Sequence, residues 1–407
     1  MGAPDITVER LGPGYFADPY SVHARLRAQR PVTRVIMPGG TPVWLVTGYA
    51  EARAALTDVR LRKSMPGWQP PPDSIFAMLE RHMLNSDPPD HERLRRLVTK
   101  AFTARQVERL RPRITAITEE LLDDMSSQGA RTEVDLLASF AFPLPITVIC
   151  ELLGVPAGDR DDFRTWSATI VSDTPGPEVF QAHATAMARY FKALLAAKRR
   201  QPGQDLLSAL LAARDDEDRL SENELVSMAF LLLVAGHETT VNLIASGVLA
   251  LLLNPAELAR LRAEPALTGR AVEELLRYVN PVSNATVRFA AEPVELGGAR
   301  IGRGDPVLVS LSGANRDPAR FGDPDRLDLG RDNSGQLAFG HGIHYCLGAP
   351  LARLEAAIAI SSLLARFGSI SLAVPAASLR WRPSTLIHGL EALPVRLGRA
   401  EGASAGS

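Results

Sequence analysis

Residues 339–348 read Phe-Gly-His-Gly-Ile-His-Tyr-Cys-Leu-Gly, and Ala349-Pro350 directly after them open a helix. A proline suits a first helical turn. The thiol of Cys346 is therefore expected at a helix N-terminus, where free amides and the helix dipole favour an anion. A free thiol, with a pKa of about 8.5, is pushed toward thiolate in such a setting. Gly340 and Gly342 permit a tight loop with positive φ, and Gly348 leaves room for a flat ligand against the backbone. Phe339 can shield the sulfur from water. Three chemistries fit these residues: an inert cysteine in a glycine turn, a nucleophile with His344 as its base, and a thiolate bound to heme iron. The other cysteine, Cys150, lies in Pro-Ile-Thr-Val-Ile-Cys-Glu-Leu-Leu without a cationic neighbour and reads as a packing residue.

A second signal is Ala235-Gly-His-Glu-Thr-Thr240, a polar island in an otherwise apolar helical stretch. Glycine inside a helix costs roughly 1 kcal/mol relative to alanine, and a buried carboxylate costs more unless it is paired. The plain reading is a kinked helix whose Glu238 finds a salt bridge. The functional reading is a site for a small polar species, with Thr239 bonding back to the Ala235 carbonyl and opening the helix there. His237 reads as a structural or surface-directed residue. Glu274 and Arg277 lie three apart on one helix face, and His91 and Arg95 lie one helical turn apart. Each of these charges, taken alone, reads as solvated surface.

Such residues need elements to hold them. Ser221-x-x-Glu224 is a capping box, and Asn254-Pro255 ends the helix it opens. About 32 residues lie between, roughly 48 Å of helix at ~1.5 Å per residue. A helix that is long and apolar nearly all round must cross the middle of a large core. Helical spacing also covers 93–102, 107–125, 146–153, 159–171, 179–199, 267–279 and 351–367. Strands are expected at 43–47, 286–289, 294–296 and 306–311, with a terminal hairpin near 379–381 and 393–397. The proline-rich stretch 59–85 is a loop long enough to be functional. With no repeat and no linker, the chain reads as one mainly α domain with small β-sheets over 1–407, frayed near 399–407.

Apolar residues make up 46% and charged residues 22%, an ordinary globular balance. The net charge of -1 gives no global attraction to nucleic acid or anionic membrane. Lysine occurs only at 63, 100, 192 and 198, so nearly all of the 45 basic residues are arginine. Two cysteines exclude a disulfide framework and point to a reducing compartment. Residues 1–16 carry charges and no apolar core, so they do not form a signal peptide. The apolar stretches 136–155 and 228–253 are interrupted by Pro143, Pro145 and Gly236-His237-Glu238, and read as buried helices rather than bilayer spans. A cytoplasmic chain is expected.

The full string Phe-Gly-x-Gly-x-His-x-Cys-x-Gly resembles the heme loop of the cytochrome P-450 family, and Ala-Gly-His-Glu-Thr resembles that family's oxygen-activating motif. The resemblance runs from about Pro19 to Leu397 with every expected motif in order. It implies a single-domain cytochrome P-450 fold around buried heme b (iron protoporphyrin IX), with Cys346 as the iron ligand. Glu238 and Thr239 become the acid–alcohol pair that organises water and protons for dioxygen. His91, Arg95, Arg288 and His344 match the family's propionate donors, with Phe339 and Gly348 completing the cofactor-binding set. Glu274 and Arg277 resemble its Glu-x-x-Arg motif. Asn315-Arg-Asp-Pro318 with Phe321, Pro324 and Asp328 resembles its meander, and Arg331 completes a structural triad. Leu327 departs from the phenylalanine more usual there. Ile75, Phe76, Met78, Val171, Phe180, Val234, Ala235, Val282, Leu386 and Ile387 occupy pocket-facing positions and are apolar.

Two further stretches, around Cys150 and around His237, resemble actinomycete enzymes that tailor macrolides and related polyketides. A vitamin D hydroxylase of similar source also resembles the chain. The implied activity is that of a heme-thiolate monooxygenase. It inserts one oxygen atom into a C–H bond of a medium-to-large apolar molecule, by hydroxylation or epoxidation. That molecule is a macrolide or polyketide or, alternatively, a sterol-like or vitamin D-like compound. The chain has no nucleotide-binding fingerprint, so electrons are expected from a ferredoxin and an NAD(P)H-dependent ferredoxin reductase, docking near Arg96, Lys100 and Arg353. A monomer is expected. The rival from another class, a heme-thiolate gas sensor or carrier, needs neither Glu238-Thr239 nor a roomy pocket.

Overall fold

The computed structural model describes residues 8–71, 74–102, 104–127, 131–213 and 219–399. The long helix spans Glu222–Leu253, 32 residues. The capping box is formed: the Ser221 hydroxyl accepts from the Glu224 amide, and the Glu224 carboxylate accepts from the Ser221 amide at 2.8 Å. It is the one described helix long and apolar enough to cross a membrane, and 67% of its apolar window is buried inside the protein. Helix Pro143–Leu153 packs closely against it. Gly236 permits that approach, since a Cβ there would fall 2.7 Å from Ile149 Cδ1.

Helices Asp90–Ala101, Arg160–Ile170, Pro177–Arg200, Thr268–Val279 and Ala349–Arg366 follow the apolar spacing closely. Two expectations shift for reasons of proline chemistry. The helix expected over 107–125 is divided into Ala104–Arg109 and Arg111–Ser127, because Pro112 has no N–H to continue the ladder. Pro143–Leu153 starts earlier than expected, because Pro143 and Pro145 sit in a first turn, where an N–H has no helical partner anyway.

A six-stranded sheet runs in the order Glu9–Arg10, Val32–Ile36, Pro42–Val46, Pro306–Val309, Arg288–Ala290, Leu61–Arg62. Val307 pairs with Trp44 on one side and Arg288 on the other. The expected terminal hairpin is different in kind. Strand Pro394–Arg399 lies between Phe367–Leu372 and Arg131–Asp135, antiparallel to both. Phe367, read as the end of a helix, starts a strand instead. Arg399 belongs to that sheet, and the remainder of the expected frayed tail lies outside the described residues. Trp381 bridges Leu390, and the loop between them folds onto the long helix. Gly389 sits so close that a Cβ would meet Asn242 Oδ1 at 1.9 Å.

Glu274, Arg277 and Arg331 do come together. Arg277 Nε and Nη2 each reach Glu274 at 2.8 Å, and Arg331 Nε lies 3.3 Å from Glu274 Oε1. Arg277 Nη1 also donates to the carbonyls of Asn315 (3.0 Å) and Pro324 (2.8 Å), tethering the meander to this helix.

Candidate active site

Gly340 (φ 73°) and Gly342 (φ 76°) adopt the left-handed turns their positions require. The Cys346 amide donates to the Phe339 carbonyl at 2.9 Å and closes the loop. Gly348 caps helix Ala349–Arg366, and the Cys346 sulfur lies beside it, 3.8 Å from where a Gly348 Cβ would stand, close enough for the first amides of the helix to favour its anion. Cys346 is closely surrounded by protein, yet its side chain is solvent-accessible. Burial raises the thiol pKa, and the amides of Gly348 and Ala349 with Arg95 and Arg353 oppose that without reversing it. The helix amides thus work against a stronger opposing effect of burial. A metal ion bound at this sulfur would displace the thiol proton.

Lys63, His91, Arg95, Arg288 and His344 gather beside this loop. The rings of His91 and His344 lie 4.4 Å apart. Burial, then Lys63, Arg288, His91 and Arg95, push His344 down to about 2. Burial and then Arg95 lower His91, and burial and then Arg288 hold Lys63 well below its usual range. Buried His91 has no partner for either ring nitrogen. Arg288 donates to the carbonyls of Leu61 (3.1 Å) and Leu56 (3.3 Å) and leaves Nε unpaired. Arg95 donates to the Tyr345 carbonyl at 2.7 Å. Asp87, the nearby acid, is taken by the amides of Lys63 and Ser64.

Lys63 Nζ is taken by Thr286 and the Val287 carbonyl, whereas His91 and Arg288 Nε keep unpartnered nitrogens suited to carboxylates. Two heme propionates fit this set. The single thiol fits an iron already held in a porphyrin, since among the described residues no three His, Cys, Asp or Glu gather as a metal cage.

In the long helix, Thr239 Oγ1 donates to the Ala235 carbonyl at 3.0 Å, as expected, and Asn242 Nδ2 donates to the Glu238 carbonyl at 2.7 Å. Ala235 is exposed and Thr239 half-buried, although Leu233, His237, Glu238 and Thr240 around them are buried. These two residues, one turn apart, share the face of the helix that their buried neighbours leave uncovered. Glu238 meets Arg382 Nη1 at 2.9 Å through Oε2, and His237 Nε2 stands 3.6 Å from Oε1. Burial pushes this carboxyl up, but His237 and Arg382 outweigh burial and hold it below the usual range. His237 is not surface-directed. It is fully buried, edge-on to Phe142, with Nδ1 2.8 Å from the Leu233 carbonyl.

Of the apolar pocket positions, Ile75 and Met78 lie on the short helix Ile75–Leu79, packed against the long helix and against Pro177–Arg200, which carries Phe180. The side chain of Phe76 lies outside the described residues. The Val171 carbonyl accepts from the Ser384 hydroxyl, and Ile387 bridges Val282. Val171, Val282, Leu386 and Ile387 are thereby joined, while Val234 and Ala235 stand on the long helix.

Lys63, Asn242 and Arg382 were not singled out in the sequence. Lysine scarcity is a signal for Lys63, and the i, i+4 spacing from Glu238 is one for Asn242. Arg382, 144 residues from Glu238, has none. Arg353 was expected on a partner-facing surface. It pairs with Glu273 at 2.5 Å and stacks over the Phe339 ring at 4.5 Å while staying about a third exposed, at 35%.

The family model described as Cytochrome P450 matches residues 16–174 and 177–373. Cytochrome P450 monooxygenase PikC of Streptomyces venezuelae is 51% identical over 398 residues, covering 97% of this chain and 95% of that protein. Mycinamicin IV hydroxylase/epoxidase of Micromonospora griseorubida is 45% identical over 376 residues, covering 92% and 94% respectively. The tirandamycin C-bound structure of the P450 monooxygenase TamI matches with a TM-score of 0.89 at 50% identity, covering 96% of this chain and 100% of that one.

Proposed function

The chain belongs to the cytochrome P450 family of heme-iron monooxygenases, and from that premise we propose the reaction, the cofactor contacts and the substrate class. The reaction is insertion of one oxygen atom from dioxygen into a C–H bond, or across a double bond, of a medium-to-large apolar macrolide or polyketide. The carrying observation is the Cys346 sulfur at a helix start, beside His91 and Arg288, whose ring nitrogens and Nε respectively have no partner.

In this reading the group held is heme b. Cys346 would hold its iron, Gly348 would leave room for it against the backbone, and Phe339 would keep water from the sulfur. His91, Arg95, Arg288 and His344 receive the propionates, with Lys63 adding charge. When bound, the heme activates dioxygen and supplies the oxidising power. The Thr239 hydroxyl both donates and accepts, so it can relay a proton. Glu238, held anionic, collects protons from solvent and returns them to that hydroxyl. Ile75, Phe76, Met78, Val171, Phe180, Val234, Ala235, Val282, Leu386 and Ile387 exclude water and hold the substrate by its apolar surface. Glu274, Arg277 and Arg331 keep the supporting core rigid.

Bacterial enzymes of this class take electrons from redox partners. Here a ferredoxin with an NAD(P)H-dependent reductase is the proposed source, serving a cytoplasmic monomer. Support comes from the grouping of Arg53, Arg270, Arg331, His341 and Arg353 around a groove outside the cysteine loop, and from Arg96 and Lys100 nearby on Asp90–Ala101. Charge reversal at Lys100 should slow electron delivery and flatten its salt dependence, and an unchanged rate at low salt would count against docking there. The substrate class is tested by titrating the holoenzyme with macrolides and linear polyketides and reading the heme absorption shift. Shifts with small charged metabolites alone would overturn it.

A further inference from the structure

We propose that Arg382 is the positioning residue for Glu238, and that the loop carrying it ties this acid to the roof of the pocket. The inference rests on the reading of Glu238 as the proton-collecting acid. Arg382 Nη1 lies 2.9 Å from Glu238 Oε2. The carboxylate side chain is 3% exposed and that of its arginine partner 26%. The contact thus joins a buried carboxylate to a partly exposed arginine.

The loop is braced on every side. At its base Trp381 bridges Leu390 and stacks on His388, with ring centroids 4.0 Å apart, and the Arg382 amide donates to the Gly389 carbonyl at 2.8 Å. At its tip the Thr385 amide donates to Asp173 Oδ2 at 2.7 Å, and the Asp173 amide donates to the Pro383 carbonyl at 2.9 Å. The Ser384 hydroxyl donates to the Val171 carbonyl. Val171 and Asp173 directly follow helix Arg160–Ile170. Gly389 rests on Asn242, whose Nδ2 holds the Glu238 carbonyl. The loop therefore reaches Glu238 twice, through its carboxylate and through its backbone. The same loop carries Leu386 and Ile387. A substrate that presses on the tip acts on the piece of chain that holds the acid.

Few groups share this work. From its own helix Glu238 faces His237, whose Nδ1 must carry the proton it gives to the Leu233 carbonyl, turning Nε2 toward Oε1. From the loop it faces Arg382. On the side of Pro143–Leu153 the neighbour of His237 is the ring of Phe142, on which Arg164 stacks at 4.7 Å. Without Arg382, only His237 opposes burial, which favours the neutral acid.

The test uses holoenzyme carrying Arg382→Gln or Arg382→Lys, with an unchanged heme spectrum as proof of folding. Difference infrared spectroscopy against pH reads the protonated carboxyl of Glu238, assigned by its loss in Glu238→Gln. Product formed per NAD(P)H is read alongside. In Arg382→Gln the carboxyl should titrate at higher pH than in wild type, the low-pH limb of product formation should move up with it, and neutral-pH coupling should fall roughly tenfold. Arg382→Lys should restore most of both. Asp173→Ala, which frees the loop tip, should shift the carboxyl in the same direction by less. An unmoved titration in Arg382→Gln overturns the positioning role, and an unmoved one in Asp173→Ala overturns the tie to the roof. If the titration moves while Arg382→Gln and Glu238→Gln both stay fully coupled, Arg382 does hold the carboxylate and the proton role of Glu238 fails instead.

Discussion

Glu274 and Glu238 are both buried carboxylates met by arginine, and the protein holds them in opposite ways. Glu274 receives two bonds from Arg277, one from Arg331 and one from the Asp328 amide at 2.9 Å. Glu274 and Arg277 are fully buried. The Asn333 side-chain amide adds a further donor to Oε2 at 2.8 Å, so this carboxylate is held from every side. Glu238 has one arginine, at the edge of solvent, and a histidine at a distance too long for a direct hydrogen bond. A saturated, dry acid fixes structure, whereas a singly held acid beside solvent can change its proton. The number of partners and their access to water, more than burial itself, distinguish the two.

The comparison breaks most severely at Arg277. Arg277→Ala leaves Glu274 buried without its main partner, which costs about 3–5 kcal/mol, much of a typical total of roughly 5–15 kcal/mol. Loss of heme retention and a collapse in thermal stability are expected. Arg382→Ala leaves Glu238 buried with only His237 beside it and should cost less than that, about 1–3 kcal/mol. Equal losses in the two melting curves would erase the distinction.

A smaller effect on stability but a clear one on chemistry is expected at Thr239. Thr239→Ala removes a hydroxyl that neither heme binding nor substrate binding needs. The variant should consume NAD(P)H and oxygen at near wild-type rates, release hydrogen peroxide, and form about tenfold less product per reductant. Full coupling would show that Thr239 is a helix residue only, or that the substrate brings its own hydroxyl. An analogue lacking its nearest hydroxyl separates those outcomes.

The smallest effect sharpens the comparison with a third acid. Glu355 is buried, its Oε2 has no partner, and burial raises its carboxyl well above the ordinary 4.5. A raised carboxyl leaves stability intact below 4.5 and erodes it as pH climbs from there toward the raised value. Glu355→Gln should therefore melt at least about 2 °C above wild type at pH 7 and converge with it near pH 4. Glu238 has the opposite sign. Its lowered carboxyl stabilises above 4.5 and loses that contribution as pH falls through its folded value. Glu238→Gln should thus melt below wild type at pH 7, with the gap closing in acid. Gaps of the same sign at pH 7 would contradict this assignment.

The cysteine loop and the long helix were legible because their signals are local. Two glycines at positive φ, a capping box and a polar island each act within a few residues of chain. The Glu274–Arg277 contact was legible for the same reason, one helical turn being enough to pair them. What escaped depends on distance along the chain. Strand Pro394–Arg399 chooses partners at 367–372 and 131–135, which no periodicity within the last thirty residues could announce. Arg382 finds Glu238 across 144 residues. At the thiol, the helix start that favours an anion is visible in sequence, whereas the burial that opposes it depends on the packed surroundings.

The central claim is that Cys346 is the thiolate that holds heme iron. The direct measurement is the visible spectrum of the reduced, carbon monoxide-bound protein for wild type, Cys346→Ala and Cys150→Ala. Buried Cys150, its thiol pushed up to about 12 by its apolar surroundings, should be silent. Wild type and Cys150→Ala should both give the red-shifted Soret band of thiolate ligation, and Cys346→Ala should not. That band surviving in Cys346→Ala, or vanishing in Cys150→Ala, would contradict the account.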